Sequence, residues 1–457
     1  MINTLLWLRR DLRLQNNPAL DWALRHSDQL LLVYIHAPDE EAPWQPGGAS
    51  RWWLHHSLAG LQKELANAQL VLHYFRGNSL SIIQQLISQH AITHICWNEV
   101  YEPIVHSRDQ QILAALDNVI VQIFHDGLFF RPGSVFNQQQ LPYRVYTPFS
   151  RKLKGELLSP DWTDADITQG LPNLKPTLIK PTNAVPLETL QILDQHPWHK
   201  RLHNYWTPGE KHAWQSLELF LDQSISSYKD NRDYPAVNGT SGLSAALHYG
   251  EISPAQILTC LRPFLDESRS SESSLMFLNQ LIWREFAGHI LWHYPDTMSK
   301  PMDQRYENNF WKSDPDALSQ WQRGKTGIPI IDAGMKQLWQ TGWMHNRVRM
   351  IVSSFLTKNL GLHWLDGARW FWDTLIDADI ANNTMGWQWV AGCGVDAAPC
   401  FRVFNPYTQA NRFDHDYAYI QRWLPQAIEL DYPPPMVDID TTRKQALQHY
   451  RSQIASR

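Results

Sequence analysis

Residues 3–20 read NTLLWLRRDLRLQNNPAL, and this stretch decides the architecture. Six β-rich residues come first, charges of both signs follow, and Asn17-Pro18 then supplies a cap residue and a proline suited to the first helical turn. A strand therefore hands over to a helix. Further apolar runs follow at QLLLVYIHA (29–37), LVLHYF (70–75), THICWN (93–98) and VIVQIF (119–124). Helical stretches lie between them, with Ser50 read as the cap of RWWLHHSLAGLQKELANA and Ser79 as the cap of LSIIQQLISQ. Strand–helix alternation of this kind predicts an α/β domain over residues 1–130. Its sheet is parallel and doubly wound, with right-handed crossovers. Ligands on such sheets sit beyond the carboxyl ends of the strands. No GxGxxG follows the first strand, which excludes an NAD-type site.

Working outward, residues 131–205 lose the alternation. From residue 151 the chain is polar, proline-rich and without periodicity, and it reads as an interdomain linker over the surface. Residues 206–457 read as an all-α domain, with examples at AWQSLELFLDQSISSYKD, SPAQILTCLRPFLD and SSLMFLNQLIWREFAGHILWHY. The 457 residues, 43% hydrophobic and 19% charged, describe a folded globular chain. No apolar run reaches a membrane span, and the N-terminus lacks a signal-peptide core, so a cytoplasmic location is expected. Four scattered cysteines without a CxxC argue against a disulfide framework or a zinc site. A net charge of −5 leaves any binding of nucleic acid to a local basic patch. The unusual total is aromatic: 22 tryptophans beside 16 tyrosines and 16 phenylalanines. A large core explains most of them, but not their clustering beside polar residues in the C-terminal half.

Four constellations carry chemistry. In NGTSGLSAALHYGEISP, Thr240, Ser241, Gly242 and Ser244 precede an apolar helix; hydroxyls and amides there suit a phosphate, although an ordinary N-cap reads the same way. In FLNQLIWREF, Gln280, Trp283 and Arg284 are spaced to share a helix face, as reading a base edge requires, or as any mixed helix interface would show. In TGWMHNRVRM, Trp343, Asn346, Arg347, Arg349 and Met350 lie on an amphipathic helix, where fixed cations suit phosphates or buried carboxylates. In LIDADIANNTMGWQWVAG, Asp377 and Asp379, two apart on an expected helix, diverge and make a poor acid–base dyad. Trp387 and Trp389 diverge likewise, which fits a wall between two compartments. HILWH spaces His289 and His293 one turn apart but lacks the glutamate of HExxH, so structural histidines are expected.

The ordered set WLRRDLRLQNNPAL, GASRWWLHHSL, NGTSGLS, WREF, GKTGIPIIDAGMKQL, TGWMHNRVRM, LIDADIANN, GWQWVAGCG and DAAPCFRVFNP resembles the photolyase/cryptochrome flavoproteins, most of all the bacterial class I and class III cyclobutane pyrimidine dimer photolyases. The resemblance implies a Rossmann-like antenna domain and a helical domain that binds FAD. By position it implies that Tyr228, Thr240, Ser241, Gly242, Leu243 and Ser244 hold the FAD phosphates and nearby groups, with Arg284 in the same pocket. It places Arg349, Asp377 and Asp379 around the isoalloxazine ring, and Asn383 at its N5 atom. Gln280, Trp283, Asn346, Met350 and Trp389 line the pocket for a flipped-out pyrimidine dimer, and Trp311, Trp364 and Trp387 form an electron-transfer chain. Arg232, Arg347 and Arg402 are the expected phosphate contacts. On this reading light-excited, reduced FAD lends an electron to the dimer in UV-damaged DNA, which splits and returns it. An electron carrier, not a nucleophile, is what the tryptophans serve. The protein is expected to work as a monomer.

Two positions depart from the family pattern. Gln280 stands where most dimer photolyases carry glutamate; (6-4) photolyases share the glutamine but carry histidine where this chain has Asn346. After YEP, Ile104 and Val105 replace a folate-holding asparagine–glutamate pair, and WNEVYEP and SRWW look more like class III, with methenyltetrahydrofolate preferred over a deazaflavin as antenna. A cryptochrome photoreceptor is the main alternative, and a (6-4) photolyase the second. A carboxylate hydrolase using Asp377 with another acid is the reading from a different class, and such a protein would be colourless.

Overall fold

The computed structural model describes residues 1–457 apart from 168–169, 173–175, 194–196, 267–269, 308–309, 397–401, 429–430 and 456–457. Cys400 and the centre of DAAPCFRVFNP lie outside the described residues.

The apolar runs become the strands β1 (Asn3–Leu8), β2 (Gln29–His36), β3 (Leu72–Arg76), β4 (His94–Asn98) and β5 (Ile120–Phe124), all parallel, in the order β3-β2-β1-β4-β5. Helices α1 (Pro18–His26), α2 (Gly48–Asn67), α3 (Ser79–His90) and α4 (Pro103–Ala114) alternate with them. Both faces of the sheet are covered, which is why the strands read as continuous apolar runs. Leu6, Leu8, Leu30 and Leu32 pack with Trp52, Trp53 and Leu58 on one face, while Leu5, Trp7, Leu31 and Val33 pack with Ile83, Leu86 and Ile112 on the other. Chain direction switches between β2 and β4 on either side of β1, so the topological crevice opens at the carboxyl end of β1.

The cap at α1 is as read: Asn17 accepts a hydrogen bond from Leu20 N at 3.2 Å. Two others differ. Asn78, not Ser79, caps α3, by accepting from Ser81 N at 3.0 Å. Helix α2 starts before Ser50, at Gly48, and the Ser50 hydroxyl donates to Leu375 O in the second domain at 3.2 Å. The start moves because a Cβ at Gly47 would overlap the Trp372 carbonyl, so the second domain fixes this turn.

The stretch read as linker is not featureless. It contains α5 (Tyr146–Leu157), which buries Phe149, Leu153 and Leu157, and a two-residue strand, β6 (Thr177–Leu178), parallel to β2. The second domain is helical, as expected: α6 (Glu210–Gln223), α7 (Tyr228–Asn231), α8 (Ser244–His248), α9 (Pro254–Asp266), α10 (Ser271–His293), α11 (Pro315–Gln322), α12 (Pro329–Thr341), α13 (Asn346–Ser354), α14 (Trp364–Thr374), α15 (Ile380–Ala391), α16 (Pro406–Phe413), α17 (Ala418–Trp423) and α18 (Ile439–Tyr450). Residues of α5, α6, α9 and α10 form one apolar cluster, and those of α11 to α15 another.

Candidate functional site

Helix α15 organises the site. Asp379 is its N-cap, with Oδ1 accepting from Asn382 N and Asn382 Nδ2, both at 2.8 Å. Asp377 lies in the turn before it. The two carboxylates therefore precede the helix instead of sitting on it, and they diverge as expected for a different reason: one faces α13 and the other faces α8. Arg349 Nη2 donates to both Asp377 oxygens, at 2.9 and 3.1 Å, and Arg349 Nε donates to Met344 O at 2.7 Å. The Asp377 side chain is 4% exposed and that of Arg349 23%, so the pair opens to solvent on the guanidinium side. Asp379 is deeply surrounded, yet 19% of its side chain remains accessible, which is the signature of a cavity wall. Although burial raises its pKa, the His248 hydrogen bond and charge, Arg284 and Asn382 together hold it well below the usual carboxylate range.

Asn383 and Trp387 are four residues apart on α15 and share a face. That face packs on α14: Asn383 Nδ2 donates to Ala368 O at 2.9 Å, and the Trp387 ring lies edge-on to Phe371 with centroids 5.0 Å apart. A Cβ at Gly367 would overlap the Trp387 ring, so only glycine lets the two helices close there. Trp387 is 2% exposed and Trp364 fully buried, and the indole Nε1 of each is buried without a partner among the described residues. Trp311 is half-buried, donates to Tyr306 O at 3.1 Å and lies 5.4 Å from the His363 ring, which is 5.8 Å from Trp364. Trp389 points away from Trp387, is half-buried, and has the Phe404 ring at 6.5 Å.

On α10, Gln280, Trp283 and Arg284 are all half-buried. Trp283 stacks face to face on Tyr146 at 3.5 Å and 5°. Tyr146 opens α5, inside the supposed linker, and only the missed helix could have revealed it. Gln280 Nε2 donates back to Met276 O at 3.1 Å. Arg284 donates to Gly127 O at 2.5 Å and Leu247 O at 3.3 Å and has no carboxylate within ion-pair distance among the described residues. Tyr228 is buried, and Thr240, Ser241 and Gly242 form a half-exposed turn, with Gly242 at φ +67°, that leads through buried Leu243 into Ser244 and α8. Exposed Asn346 and half-buried Met350 meet one turn apart at 3.9 Å.

The three expected phosphate contacts are unequal. Arg402 is exposed. Arg232 lies 3.8 Å from Asp233. Arg347 is ion-paired to Asp233 at 2.7 Å and stacked on Phe413 at 4.3 Å, so it is a committed structural cation and not a free surface charge. His289 and His293 are ring neighbours at 4.6 Å in an aromatic cluster, and burial and the neighbouring His293 push His289 down to about 4.

A doubly wound sheet joined to a helical domain, with a half-open cavity lined by residues of both, defines a class of protein built to hold a ligand between its two halves. The family profile described as "DNA photolyase" matches residues 4–169, and that described as "FAD binding domain of DNA photolyase" matches residues 277–431. The chain is 38% identical to a deoxyribodipyrimidine photo-lyase of Agrobacterium fabrum, over 98% of this chain and 97% of the relative. It is 32% identical to cryptochrome-2 of Arabidopsis thaliana, over 96% and 77%. A solved bacterial class III photolyase from Agrobacterium tumefaciens superposes with a TM-score of 0.89 at 38% identity, covering 99% of this chain and 98% of that one. The chain belongs to the photolyase/cryptochrome family.

The residues fit FAD. The hydroxyl-bearing turn before α8 and an Arg284 without a carboxylate partner suit phosphates. The cavity lined by Arg284, His248, Asp379 and Asn382 offers both donors and acceptors, as a polar heterocyclic ligand requires.

Proposed function

We propose that this protein is a light-dependent cyclobutane pyrimidine dimer photolyase, with FAD as cofactor and UV-damaged DNA as substrate. The observation that carries the reading is the phase of α15: Asn383 and buried Trp387 face one way, and half-exposed Trp389 the other. One helix thereby separates an electron-transfer side from a substrate side.

When bound, FAD supplies light-driven one-electron chemistry. The chain's own residues do the rest. Thr240, Ser241, Gly242, Leu243 and Ser244, with Tyr228 and Arg284, bind the phosphates and adjoining groups. The Arg349–Asp377 pair and Asp379 set a fixed charge pattern around the ring. Asn383 spends its Nδ2 on Ala368 O, which leaves Oδ1 as an acceptor at the ring. Trp387 and Trp364 have no base beside Nε1, so an electron can leave either ring while the proton stays. Half-buried Trp311 connects that chain to the surface. Trp283, backed by Tyr146, and Trp389 form the two walls of the lesion pocket, with Gln280, Asn346 and Met350 between them. Extruding the lesion costs a few kcal/mol, least where pairing is already damaged, which itself selects dimers. Arg402 and Arg232 contact the DNA backbone without reading sequence.

An antenna chromophore fits the crevice at the carboxyl end of β1, lined by Trp7, Arg10, Tyr34, His36, Tyr249 and Trp372. Methenyltetrahydrofolate is preferred over a deazaflavin on the resemblance of WNEVYEP and SRWW to the class III pattern. No helix among the described residues is long and apolar enough to cross a membrane, and we take the enzyme to act on DNA in the cytoplasm as a monomer. The decisive experiment is blue-light repair of an oligonucleotide carrying one thymine dimer. Restored thymines confirm repair. An intact dimer with flavin bound leaves the cryptochrome-type sensor.

A further inference from the structure

Three polar side chains from three separate segments meet at the domain interface. Glu102 is the N-terminal flanking residue of α4, His248 ends α8, and Asp379 caps α15. One ligand-type atom from each lies within 4.8 Å of the others. The spacing is that of a metal site, but the compensating cations are already built in: Arg10 pairs with both Glu102 and, at 3.0 Å, Glu41, and Arg284 faces Asp379.

The hydrogen-bond inventory of Asp379 points elsewhere. Its Oδ1 is used twice by Asn382, inside its own helix. Its Oδ2 has one partner, His248 Nδ1, at 3.4 Å. His248 is 8% exposed, and its ring is held edge-on by Tyr249 at 4.7 Å, whose own hydroxyl donates to Ser50 O on α2 at 2.8 Å. The imidazole is thus clamped by the α/β domain and presented to a carboxylate of the helical domain.

We propose that His248 is the positioning residue that holds Asp379 in place beside the flavin, coupling that carboxylate to the α/β domain through Tyr249 and its bond to Ser50 O. The inference rests on the FAD reading above. The charged and titratable groups facing the imidazole are Asp379, Glu102, Arg10, Arg284 and Tyr249, and of these Asp379 is the one hydrogen-bonded to it among the described residues. Without it, Oδ2 sits in a low-dielectric cleft with no donor, and the ionised form of Asp379 loses a stabilising partner. The Asp379 carboxyl then moves up from its depressed position, held only by Arg284 and Asn382, and the charge beside the flavin becomes open to protonation.

The test is the flavin reduction potential of the purified holoprotein as a function of pH, for the parent, His248→Ala, His248→Gln and Asp379→Asn. The expected result is an added inflection in the His248→Ala profile that the parent lacks. The side-chain donor of His248→Gln removes that inflection, and it is absent from Asp379→Asn whatever stands at position 248. A role confined to packing would lower the melting temperature of His248→Ala while leaving its potential–pH profile parallel to the parent's. A parallel profile for the alanine variant overturns the inference; should that variant not fold, a glutamine profile that carries the inflection overturns it. A protein that purifies without flavin overturns the FAD reading itself, so the two failures are distinct.

Discussion

Replacing Glu285 by glutamine tests how the two domains are held together. Glu285 lies on α10 and is 4% exposed; its two oxygens accept from Phe129 N at 3.0 Å and Phe130 N at 2.9 Å, just beyond β5. No cation lies within ion-pair distance among the described residues. Burial outweighs those two bonds and the nearby Arg284, and raises the carboxyl to about 7. Against an unfolded value near 4.5, that shift corresponds to roughly 3 kcal/mol. The sign follows from proton counting. Between pH 4.5 and 7 the folded state holds a proton that the unfolded chain has released, so this group's contribution is complete below 4.5 and is lost as pH rises through 7. Glutamine copies the neutral form and does not titrate. Urea unfolding of parent and Glu285→Gln, followed by tryptophan fluorescence at pH 5.5 and 8, cancels every other titrating group in the double difference. The difference should swing by about 2 kcal/mol in favour of glutamine at the higher pH. A swing below about 0.5 kcal/mol, or one in favour of glutamate, refutes the argument. Glu285→Ala is the control: it strands two buried amides and costs roughly 2–6 kcal/mol at either pH.

Three further outcomes follow from the site. Gln280→Glu places a protonatable group at the lesion pocket and should raise the quantum yield of dimer repair; an unchanged or lower yield counts against the placement. Trp387→Phe should slow photoreduction of the oxidised protein by at least about tenfold, a loss of roughly 1.4 kcal/mol or more in rate terms, with flavin still bound; photoreduction at the parent rate removes Trp387 from the chain. Arg349→Ala leaves Asp377 buried without its partner, costing about 3–5 kcal/mol, and should abolish retention of FAD on gel filtration.

The sheet was legible because parallel strands covered on both faces are unbroken apolar runs, and NTLLWL coincides with β1 residue for residue. Helix starts were legible only where the cap is local. Asn17 caps α1 through its own side chain, whereas the start of α2 is set by Trp372 and Trp198, more than a hundred residues away, pressing on Gly47 and Gly48. Helix α5 was hidden by its polar content, although Phe149, Leu153 and Leu157 carry a four-residue apolar spacing that would have exposed it. At the site, motif order gave residue identities and pairing, as with Arg349 and Asp377. It gave no view of partners supplied by other segments: Tyr146 behind Trp283, Asp233 on Arg347, and His248 on Asp379.

Those unseen partners share a physical logic. Three buried glutamates, Glu210, Glu251 and Glu285, are each raised to about 7 chiefly by burial. Glu210 accepts from Leu14 N and Gln15 N at 2.6 and 2.9 Å, and Glu251 accepts from Trp53 Nε1 and Gly209 N, both at 2.9 Å. Every one binds at least one donor of the α/β half or its adjoining segment, and none is ion-paired among the described residues. A carboxylate with two lone-pair-bearing oxygens fixes two donors in one register, which an apolar contact cannot do. The cost is desolvation of a charge, tolerable because the group can remain protonated near neutrality. Position is what this interface supplies. The crevice at β1 and the cavity at Asp379 share His248 and Arg10 as lining residues, so a small slip between the domains would move the two cavities relative to each other. An interface of directional hydrogen bonds resists that slip where a greasy one would permit it.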